Sequence, residues 1–269
     1  MLDQCPLSAE RKLERLPVGD VWVTPLTQTD LHALIHEAVR TRRTWRVLNV
    51  NARAVALARR NLAFRQVLQQ ADVVFCDGYG VLFAARALGY HLPERITYAD
   101  WIYPFAEFSS SHGLSWFLLG ARPGIADRAA QVLSQRYPGL RIVGTHHGYF
   151  DREGEANRAV IAQINACQPD VTFVAFGMPH QELWIHRHAP ELDTRVLLAA
   201  GACFDYVAGV VRRGPRWMTD HGLEWLARIL IEPRRLFWRY LVDNTQFAWI
   251  VFKQWMSQTR KRSSRQVGW

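Results

Sequence analysis

The stretch "ADVVFCDGYGVLFAARALG", Ala71 to Gly89, is the part of the sequence that best indicates the fold. A short apolar run ends in Cys76-Asp77-Gly78, and an Ala-rich pattern with helical spacing begins directly after it. This order predicts a strand followed by a helix, with an acid in the turn between them. An acid is unexpected in a phosphate-binding turn, because its charge would repel the ligand from the helix N-terminus.

The same alternation continues on both sides of this stretch. Further apolar runs predict strands over 46–52, 72–77, 115–121, the start of 140–150, 170–179 and 195–205, with helices between them that include one helix over 53–71. Short, nearly continuous apolar strands between helices are typical of a parallel sheet covered on both faces. The sequence therefore predicts an α/β fold: a doubly wound, mostly parallel sheet of Rossmann-like type, with ligands outside the carboxyl ends of the strands.

The charge is unevenly distributed along the chain. The net charge is +9, and residues 210–269 hold twelve Lys and Arg against four Asp and Glu, together with six of the eleven Trp. We therefore divide the chain into an N-terminal segment (1–20), an α/β catalytic core (21–209) and a basic, Trp-rich helical C-terminal appendage (210–269). A basic, aromatic appendage suits an anionic surface such as phospholipid headgroups, diphosphates or nucleic acid.

The sequence of the C-terminal appendage predicts two helices, with a break between them at Pro233. In the second helix, apolar and aromatic residues recur near helical spacing beside basic residues. This pattern fits an interfacial helix and a terminal helix packed on the core equally well. The predicted face consists of Phe237, Tyr240, Leu241, Asn244, Phe247, Ala248, Val251 and Trp255.

Several classes of protein are not expected from the composition. The N-terminus lacks the apolar run of a secretory signal, and no window of about 18 residues is apolar and uncharged enough to span a membrane. The four cysteines are far apart, which favours reduced thiols in a cytosolic protein and argues against a structural metal.

Polar or glycine-rich residues follow five of the predicted strands. Since the carboxyl ends of parallel strands meet at one edge of a sheet, these residues predict a small-molecule site at that edge. They are Asn49 and Asn51, Asp77 and Gly78, Gly120, the stretch from Gly177 to Gln181, and the stretch from Gly201 to Asp205.

The turn at Asp77 has competing interpretations. Gly78-Tyr79-Gly80 resembles the start of a dinucleotide fingerprint, but Phe83 occupies the position of the third glycine, so an NAD(P)-dependent reductase is an alternative with weak support. Asp77 itself is either a helix cap or a general base. The stretch alone favours the cap, since a base at a helix N-terminus needs burial to offset the helix dipole.

Motifs further along the chain carry a resemblance to a known family. They are "LPERITYADW" with Arg95, "GMPHQELWI" with Gln181, and "GACFDYVAGVVRRGPRW" followed by "GLEWLARILIEPRRLFWRY". In order and spacing, the chain from about Thr24 to Phe247 resembles the WecG/TagA/CpsF family of glycosyltransferases (glycosyltransferase family 26).

The resemblance implies a function. Such an enzyme moves a hexose-type sugar from a UDP-sugar to a polyprenyl-diphosphate-linked saccharide, with inversion and without a metal or other cofactor, in bacterial exopolysaccharide or cell-envelope polysaccharide synthesis. It implies a peripheral protein at the cytoplasmic face of the inner membrane. Its partners would be the UDP-sugar, the lipid-linked acceptor and the anionic membrane surface, and nucleic acid is not expected as a partner. The resemblance does not determine whether the protein forms a homo-oligomer. The non-enzymatic alternative is an anionic-lipid or nucleic-acid binding module.

The resemblance also implies roles for particular residues. Asp77 would be the catalytic base, and Arg95 and Gln181 would be further catalytic residues. This chain departs from the family pattern near the expected donor pocket, for example at His147 and His180. The resemblance therefore does not determine whether the donor sugar is N-acetylmannosamine, glucose or a uronic acid. The residues expected to bind substrate or nucleotide are Asn49, Asn51, Gly78, Gly120, Tyr149, Gly177, Gly201, Asp205, Arg212 and Arg213.

Overall fold

A six-stranded sheet forms the centre of the protein. The computed structural model describes residues 13–231 and 233–266 of the chain. Its strands are β1 (Leu16–Val18), β2 (Val21–Val23), β3 (Trp45–Val50), β4 (Val73–Cys76), β5 (Ser115–Gly120), β6 (Arg141–His146), β7 (Val171–Ala175) and β8 (Val196–Ala199). The central sheet has the order β4-β3-β8-β7-β5-β6, and every neighbouring pair in it is parallel. The predicted Rossmann-like α/β fold is confirmed.

Helices cover both faces of this sheet. Alternate strand residues point to opposite faces, so that Leu118 joins one apolar cluster and its neighbour Phe117 joins the other. The helices are α1 (Gln28–Arg40), α2 (Ala52–Arg60), α3 (Leu62–Gln70), α4 (Tyr79–Ala87), α5 (Tyr98–His112), α6 (Ile125–Arg136), α7 (Glu155–Cys167), α8 (His180–His188), α9 (Cys203–Val207), α10 (Arg216–Asp220), α11 (Glu224–Ile231) and α12 (Pro233–Gln266), with a short 3-10 helix at Ala189–Glu191.

Two predicted elements are divided in the structure. The single helix predicted over 53–71 is two helices, because Asn61 ends α2 and its side chain accepts a hydrogen bond from the Phe64 N–H as the N-cap of α3. The strand predicted over 195–205 ends at Ala199, and a turn leads to the short helix α9. In both places the structure has a helix N-terminus within a stretch that the apolar pattern of the sequence predicts as one continuous element.

The N-terminal part of the chain is joined to the core. The strands β1 and β2 pair as an antiparallel hairpin, and buried Val18, Val21 and Val23 extend the apolar cluster on one face of the sheet. The Thr24 N–H also donates to the Val74 carbonyl, at 2.7 Å. The boundary expected at residue 20 therefore falls inside this hairpin, and residues 1–12 of the expected N-terminal segment lie outside the described residues.

The C-terminal appendage consists of α10, α11 and α12, and its helices break at Pro233 as predicted. One face of α12 packs on α2, and Gln254 anchors it to the hairpin, because its side chain accepts from the Gly19 N–H at 2.7 Å and donates to the Pro17 carbonyl at 3.0 Å. Asp243, buried on the same face, pairs with Arg53 and Arg60. Within the described residues, no helix is both long enough and apolar enough to cross a membrane.

The aromatic face predicted for this helix is split in the structure. Phe247 and Val251 pack on the core, and Tyr240 and Asn244 line the cavity described below. The exposed aromatic and aliphatic side chains of α12 include Phe237, Leu241 and Trp255 of the predicted face, together with residues outside it. The interpretation as a terminal helix packed on the core is thus confirmed, and the interpretation as an interfacial helix stays a prediction. The exposed set is Phe237, Trp238, Leu241, Val242, Trp249, Phe252 and Trp255.

Candidate active site

A cavity of about 1150 Å³ lies at the carboxyl ends of the strands. The turns after β3, β4, β7 and β8 form one wall, and α11 and the first part of α12 form the opposite wall. The cavity therefore lies between the core and the C-terminal appendage. Its lining includes most of the site residues predicted from sequence: Asn49, Asn51, Asp77, Gly78, Arg95, Tyr149, Gly177, Gln181, Gly201, Asp205 and Arg212.

The other two predicted site residues do not line the cavity. Gly120 has a φ of 140°, and a Cβ at this position would lie 2.5 Å from the Ala175 carbonyl oxygen, so glycine is required for the close packing of β5 on β7. Arg213 forms hydrogen-bonded ion pairs with Asp100 and lies 3.9 Å from the Glu224 carboxylate. It therefore links α5 to α11 beside the cavity.

Asp77 follows β4 directly and is half-buried in the cavity wall. Its carboxylate accepts a hydrogen bond from Asn49 Nδ2 at 2.6 Å and is hydrogen-bonded to the Thr97 side chain. Burial and, to a smaller extent, the Glu224 charge together raise the pKa of Asp77 to about 6, against the opposing effects of Thr97, Asn49 and Arg95. Near neutral pH the carboxylate can therefore accept a proton and later release it, which is what a general base requires.

The capping interpretation of Asp77 is wrong. Helix α4 begins at Tyr79, its N-cap is Gly78, and no side-chain cap hydrogen bond is present. Gly78 has a φ of 143°, a conformation that favours glycine and turns the backbone so that the Asp77 side chain lies in the cavity rather than over the helix end.

Two asparagines, Asn49 near the end of β3 and Asn51 directly after it, serve different purposes. Asn51 is the N-cap of α2, where its Oδ1 accepts from the Ala54 N–H at 3.1 Å. Asn49 is 5% exposed and orients Asp77 through its Nδ2, while its buried Oδ1 finds no hydrogen-bond partner within the described part of the chain. A buried acceptor without a partner is costly in a folded protein, which marks this atom as one that a ligand can satisfy.

Arg95 lines the same cavity as Asp77, and its positive charge opposes the increase in the pKa of Asp77. Its guanidinium stacks 4.5 Å over the Tyr79 ring and lies 3.6 Å from carboxylate oxygens of both Asp100 and Glu224. Because these two acids come from the core and from the appendage, Arg95 sits at the junction of the two walls. Its fork of donors is suited to a phosphate or diphosphate group.

Gln181 organises two of the strand-end turns. Its Oε1 accepts from the Gly177 N–H at 3.1 Å and from the Gly201 N–H at 3.0 Å, and its Nε2 donates to Glu182 at 2.8 Å. The residue predicted as catalytic thus holds the turns after β7 and β8 together. Glu182 is fully buried, and burial raises its pKa to about 7.

Tyr149 and Asp205 lie on different parts of the cavity wall. Tyr149 follows β6 and is largely exposed, which leaves its ring accessible at the rim. Asp205 lies in α9, where its backbone carbonyl accepts from the Val210 N–H at 2.9 Å. Within the described residues, no group of three or more His, Cys, Asp and Glu side chains is placed to hold a metal ion.

Arginines dominate the charged lining of the cavity. Sequence analysis missed Arg53 and Arg228 as well as the acid Glu224. Arg53 lies in the first turn of α2 after Asn51, and Glu224 and Arg228 share a face of α11 at i,i+4 spacing, a pattern visible in the sequence. The lining contains four carboxylates and the following seven arginines: Arg53, Arg95, Arg122, Arg152, Arg212, Arg228 and Arg239.

The fold and the cavity define a class of protein. A parallel α/β sheet whose strand ends hold a carboxylate of raised pKa beside clustered arginines is an arrangement typical of an enzyme that acts on an anionic substrate. The chain belongs, more narrowly, to the glycosyl transferase WecG/TagA/CpsF family, whose model matches residues 16–261. It is therefore a glycosyltransferase, and the reductase alternative is wrong.

Curated relatives support the same assignment. The chain is 30% identical over 190 residues to the N-acetylglucosaminyldiphosphoundecaprenol N-acetyl-beta-D-mannosaminyltransferase of Staphylococcus aureus (strain MRSA252), which covers 71% of this chain and 73% of the relative. It is 29% identical over 209 residues to the protein of the same name from Bacillus subtilis (strain 168), which covers 77% and 79% of the two chains.

Proposed function

We propose that this enzyme transfers a hexose-type sugar from a UDP-sugar to a saccharide linked to a polyprenyl diphosphate, with inversion at the anomeric carbon. The names of the relatives describe transfer of N-acetylmannosamine to a diphosphoundecaprenol-linked N-acetylglucosamine. The observation that carries the proposal is the position of Asp77: a half-buried carboxylate whose pKa is raised to about 6, in the wall of a cavity lined by arginines.

Asp77 would act as the general base. Its carboxylate accepts the proton of the acceptor hydroxyl while the hydroxyl oxygen forms a bond to the anomeric carbon of the donor sugar. In the same step the bond from that carbon to the UDP oxygen breaks, and the electron pair leaves with UDP. One displacement from the face opposite the leaving group inverts the anomeric centre. The proton on Asp77 returns to solvent after the products leave, which a pKa near 6 permits at neutral pH.

The cavity arginines would stabilise the departing UDP and hold the acceptor diphosphate. Both groups are anionic, and the lining has an excess of arginine over carboxylate. Arg95 belongs to the core wall, whereas Arg228 belongs to the appendage, where its Nε donates to the Tyr206 hydroxyl at 2.7 Å. Two walls that both carry guanidinium groups fit two phosphate-bearing substrates. In this proposal the arginines supply the counter-charge, and the reaction needs no metal or other cofactor.

The appendage would attach the enzyme to the cytoplasmic face of the inner membrane as a peripheral protein. Exposed aromatic side chains of α12, among them Trp238 and Trp249, lie on the side opposite the core. The Lys253 ammonium lies 4.9 Å from the Trp249 ring, which places a cation beside this apolar surface. Aromatic and basic side chains on one side of a helix match the interface of an anionic membrane.

A panel of donors tests the proposal. The wild-type enzyme is incubated with UDP-linked N-acetylmannosamine, glucose and a uronic acid, each with a polyprenyl-diphosphate-linked N-acetylglucosamine acceptor, and UDP release and product are measured. We expect one donor to release UDP only when the acceptor is present, with a product of inverted anomeric configuration. Retention of configuration, or the absence of acceptor-dependent UDP release with every donor, contradicts the proposal.

A further inference from the structure

A second concave surface lies between α4 and α12, beside the catalytic cavity. It is a groove of about 500 Å³ lined by nine residues, each of which is Gly, Ala, Val, Phe or Trp. Small residues of α4, among them Ala84 and Ala87, form one side, and Phe252 and Trp255 of α12 form part of the other. No side chain that lines the groove carries a charge, in contrast to the arginine-rich cavity next to it.

The groove adjoins the catalytic cavity. Gly80 and Phe247 line both, and they face each other, since a Cβ built on Gly80 would lie 3.6 Å from Phe247 Cε1, an ordinary van der Waals distance. These two residues therefore form a boundary that the cavity and the groove share. Asp77 lines the cavity and precedes Gly80 by three residues, so the groove begins close to the proposed base.

An aromatic path runs along α4 from the charged cavity to the groove. The Arg95 guanidinium stacks on Tyr79 in the cavity, and the Tyr79 ring lies 5.7 Å from the ring of Phe83, one turn further along the helix, which lines the groove. A guanidinium group is thus placed at one end of a continuous apolar surface. This arrangement is complementary to an amphiphile with an anionic head and a hydrocarbon chain.

Several aromatic side chains that line the groove are largely exposed to solvent. Phe83 is 51% exposed, Phe252 49% and Trp255 44%. Contiguous exposed aromatic residues are uncommon on a protein surface unless they bind a partner. From Phe247 to Trp255 the groove follows about 12 Å of α12, at a rise of about 1.5 Å per residue, which is long enough for the first few isoprene units of a chain but not for a complete polyprenyl tail.

We propose that this groove binds the first isoprene units of the polyprenyl carrier, next to the diphosphate held in the catalytic cavity. The proposal rests on the proposed function, which supplies a polyprenyl diphosphate as the acceptor carrier. It extends that function by giving the hydrocarbon chain its own subsite on the protein, formed jointly by α4 of the core and α12 of the appendage.

Direct binding separates this proposal from the catalytic one. The probes are farnesyl diphosphate and inorganic diphosphate, which share a head group and differ in the isoprenoid chain. We expect the wild-type protein to bind farnesyl diphosphate about tenfold or more tightly than inorganic diphosphate, because several methylene groups leave water. Ala248→Phe, at an exposed position of the groove, and Ala87→Phe, at its far end, should each remove that preference without changing the affinity for inorganic diphosphate.

A matched control is available on another helix. Ala159 is an exposed alanine of α7 that lines neither the cavity nor the groove, and Ala159→Phe should keep the preference for farnesyl diphosphate. Affinity for UDP should be the same in all three variants and in the wild type. That measurement shows that the catalytic cavity is intact.

The outcomes distinguish the two proposals. If Ala248→Phe and Ala87→Phe keep the farnesyl preference while the wild type transfers sugar, the groove proposal fails and the proposed function stands. If both variants lose the preference while the wild type transfers no sugar from any donor, the groove stands and the proposed function fails. Two further results would overturn the proposal. If the two variants keep the preference for farnesyl diphosphate but bind phosphatidylglycerol vesicles more weakly, the groove binds the membrane. If they keep that preference but their sedimentation changes, the groove binds a second copy of the chain.

Discussion

The α/β core and the C-terminal appendage use aromatic and aliphatic side chains for different purposes. In the core, Phe117 and Phe173 are fully buried between the sheet and its helices. In the appendage, Trp238 is 69% exposed, although the helix that carries it is held to the core by Asp243 and Gln254. Apolar residues of the core therefore stabilise the fold, whereas those on the outer side of the appendage contribute little to it and are free to bind other molecules.

The catalytic cavity lies where these two regions meet. The core supplies Asn49 and Asp77 at the ends of β3 and β4, and Gln181 in the first turn of α8. The appendage supplies Glu224 and arginines on helices that pack against that edge. We infer that the core determines which bond is made and that the appendage determines which anionic substrates are held there. Variants in the two regions should then have different kinetic effects.

The largest expected effect is in the core. Asp77→Asn keeps the size of the side chain but removes the group that accepts the acceptor proton, so kcat should fall about 10²–10⁴-fold, while the affinity for UDP changes little. UDP release with the lipid-linked acceptor and UDP binding by calorimetry are the measurements.

The matched control is Asp193→Asn, since Asp193 pairs with Arg195 away from the cavity and should leave turnover unchanged. Full turnover in Asp77→Asn would remove Asp77 from the chemistry and with it the division of roles between core and appendage.

The next effect is in the appendage. Arg228→Leu removes a guanidinium from the cavity wall, and the loss of charge-assisted hydrogen bonds to a diphosphate should lower kcat/KM about tenfold to a hundredfold. Tyr206→Phe, which removes the hydroxyl that accepts from Arg228 but leaves the charge, should cost less. If Arg228→Leu has no effect on kcat/KM, the appendage does not contribute to substrate binding through this residue.

Much of the fold is predictable from the sequence for a physical reason. Strands buried on both faces must be apolar along their length, so β3, β4, β5, β7 and β8 stand out as short apolar runs that end in polar or glycine residues. The break at Asn61 does not stand out, because apolar residues at helical spacing continue on both sides of it, although asparagine itself favours caps. The presence of these strands was therefore predictable but their ends were not, since β7 and β8 end at Ala175 and Ala199.

The state of Asp77 could not be predicted from its own stretch of sequence. Its carboxylate is hydrogen-bonded to Asn49 and Thr97, and its pKa responds to Glu224, residues that are distant in sequence and meet only in the folded chain. The local pattern therefore favoured a cap. The splitting of the predicted α12 face has the same origin, because helical spacing identifies apolar positions but does not show which of them pack against α2.

A smaller effect is expected on the outer side of the appendage. Trp238→Ala removes a large exposed apolar side chain, which should weaken binding to phosphatidylglycerol vesicles about tenfold if that ring enters the interface. The control is Trp22→Ala, since Trp22 is a tryptophan of the hairpin that is 42% exposed, and this variant should bind vesicles as the wild type does. Vesicle flotation is the measurement, and equal losses in both variants would show that attachment is not specific to the appendage.

The smallest expected effect connects the two regions through the pH dependence of the reaction. The base form of Asp77 is lost as the pH falls through its pKa of about 6, so kcat/KM should decrease on the acid side near that value. The Glu224 carboxylate of the appendage raises this pKa, because its negative charge disfavours a second one nearby. Glu224→Gln should therefore move the acid limb of the profile to lower pH, with the kcat of the high-pH plateau largely retained. The measurement is the profile of kcat/KM from about pH 4 to about pH 8, roughly two units on either side of the expected value. An acid limb at the same pH as in the wild type would show that the appendage does not influence the base electrostatically.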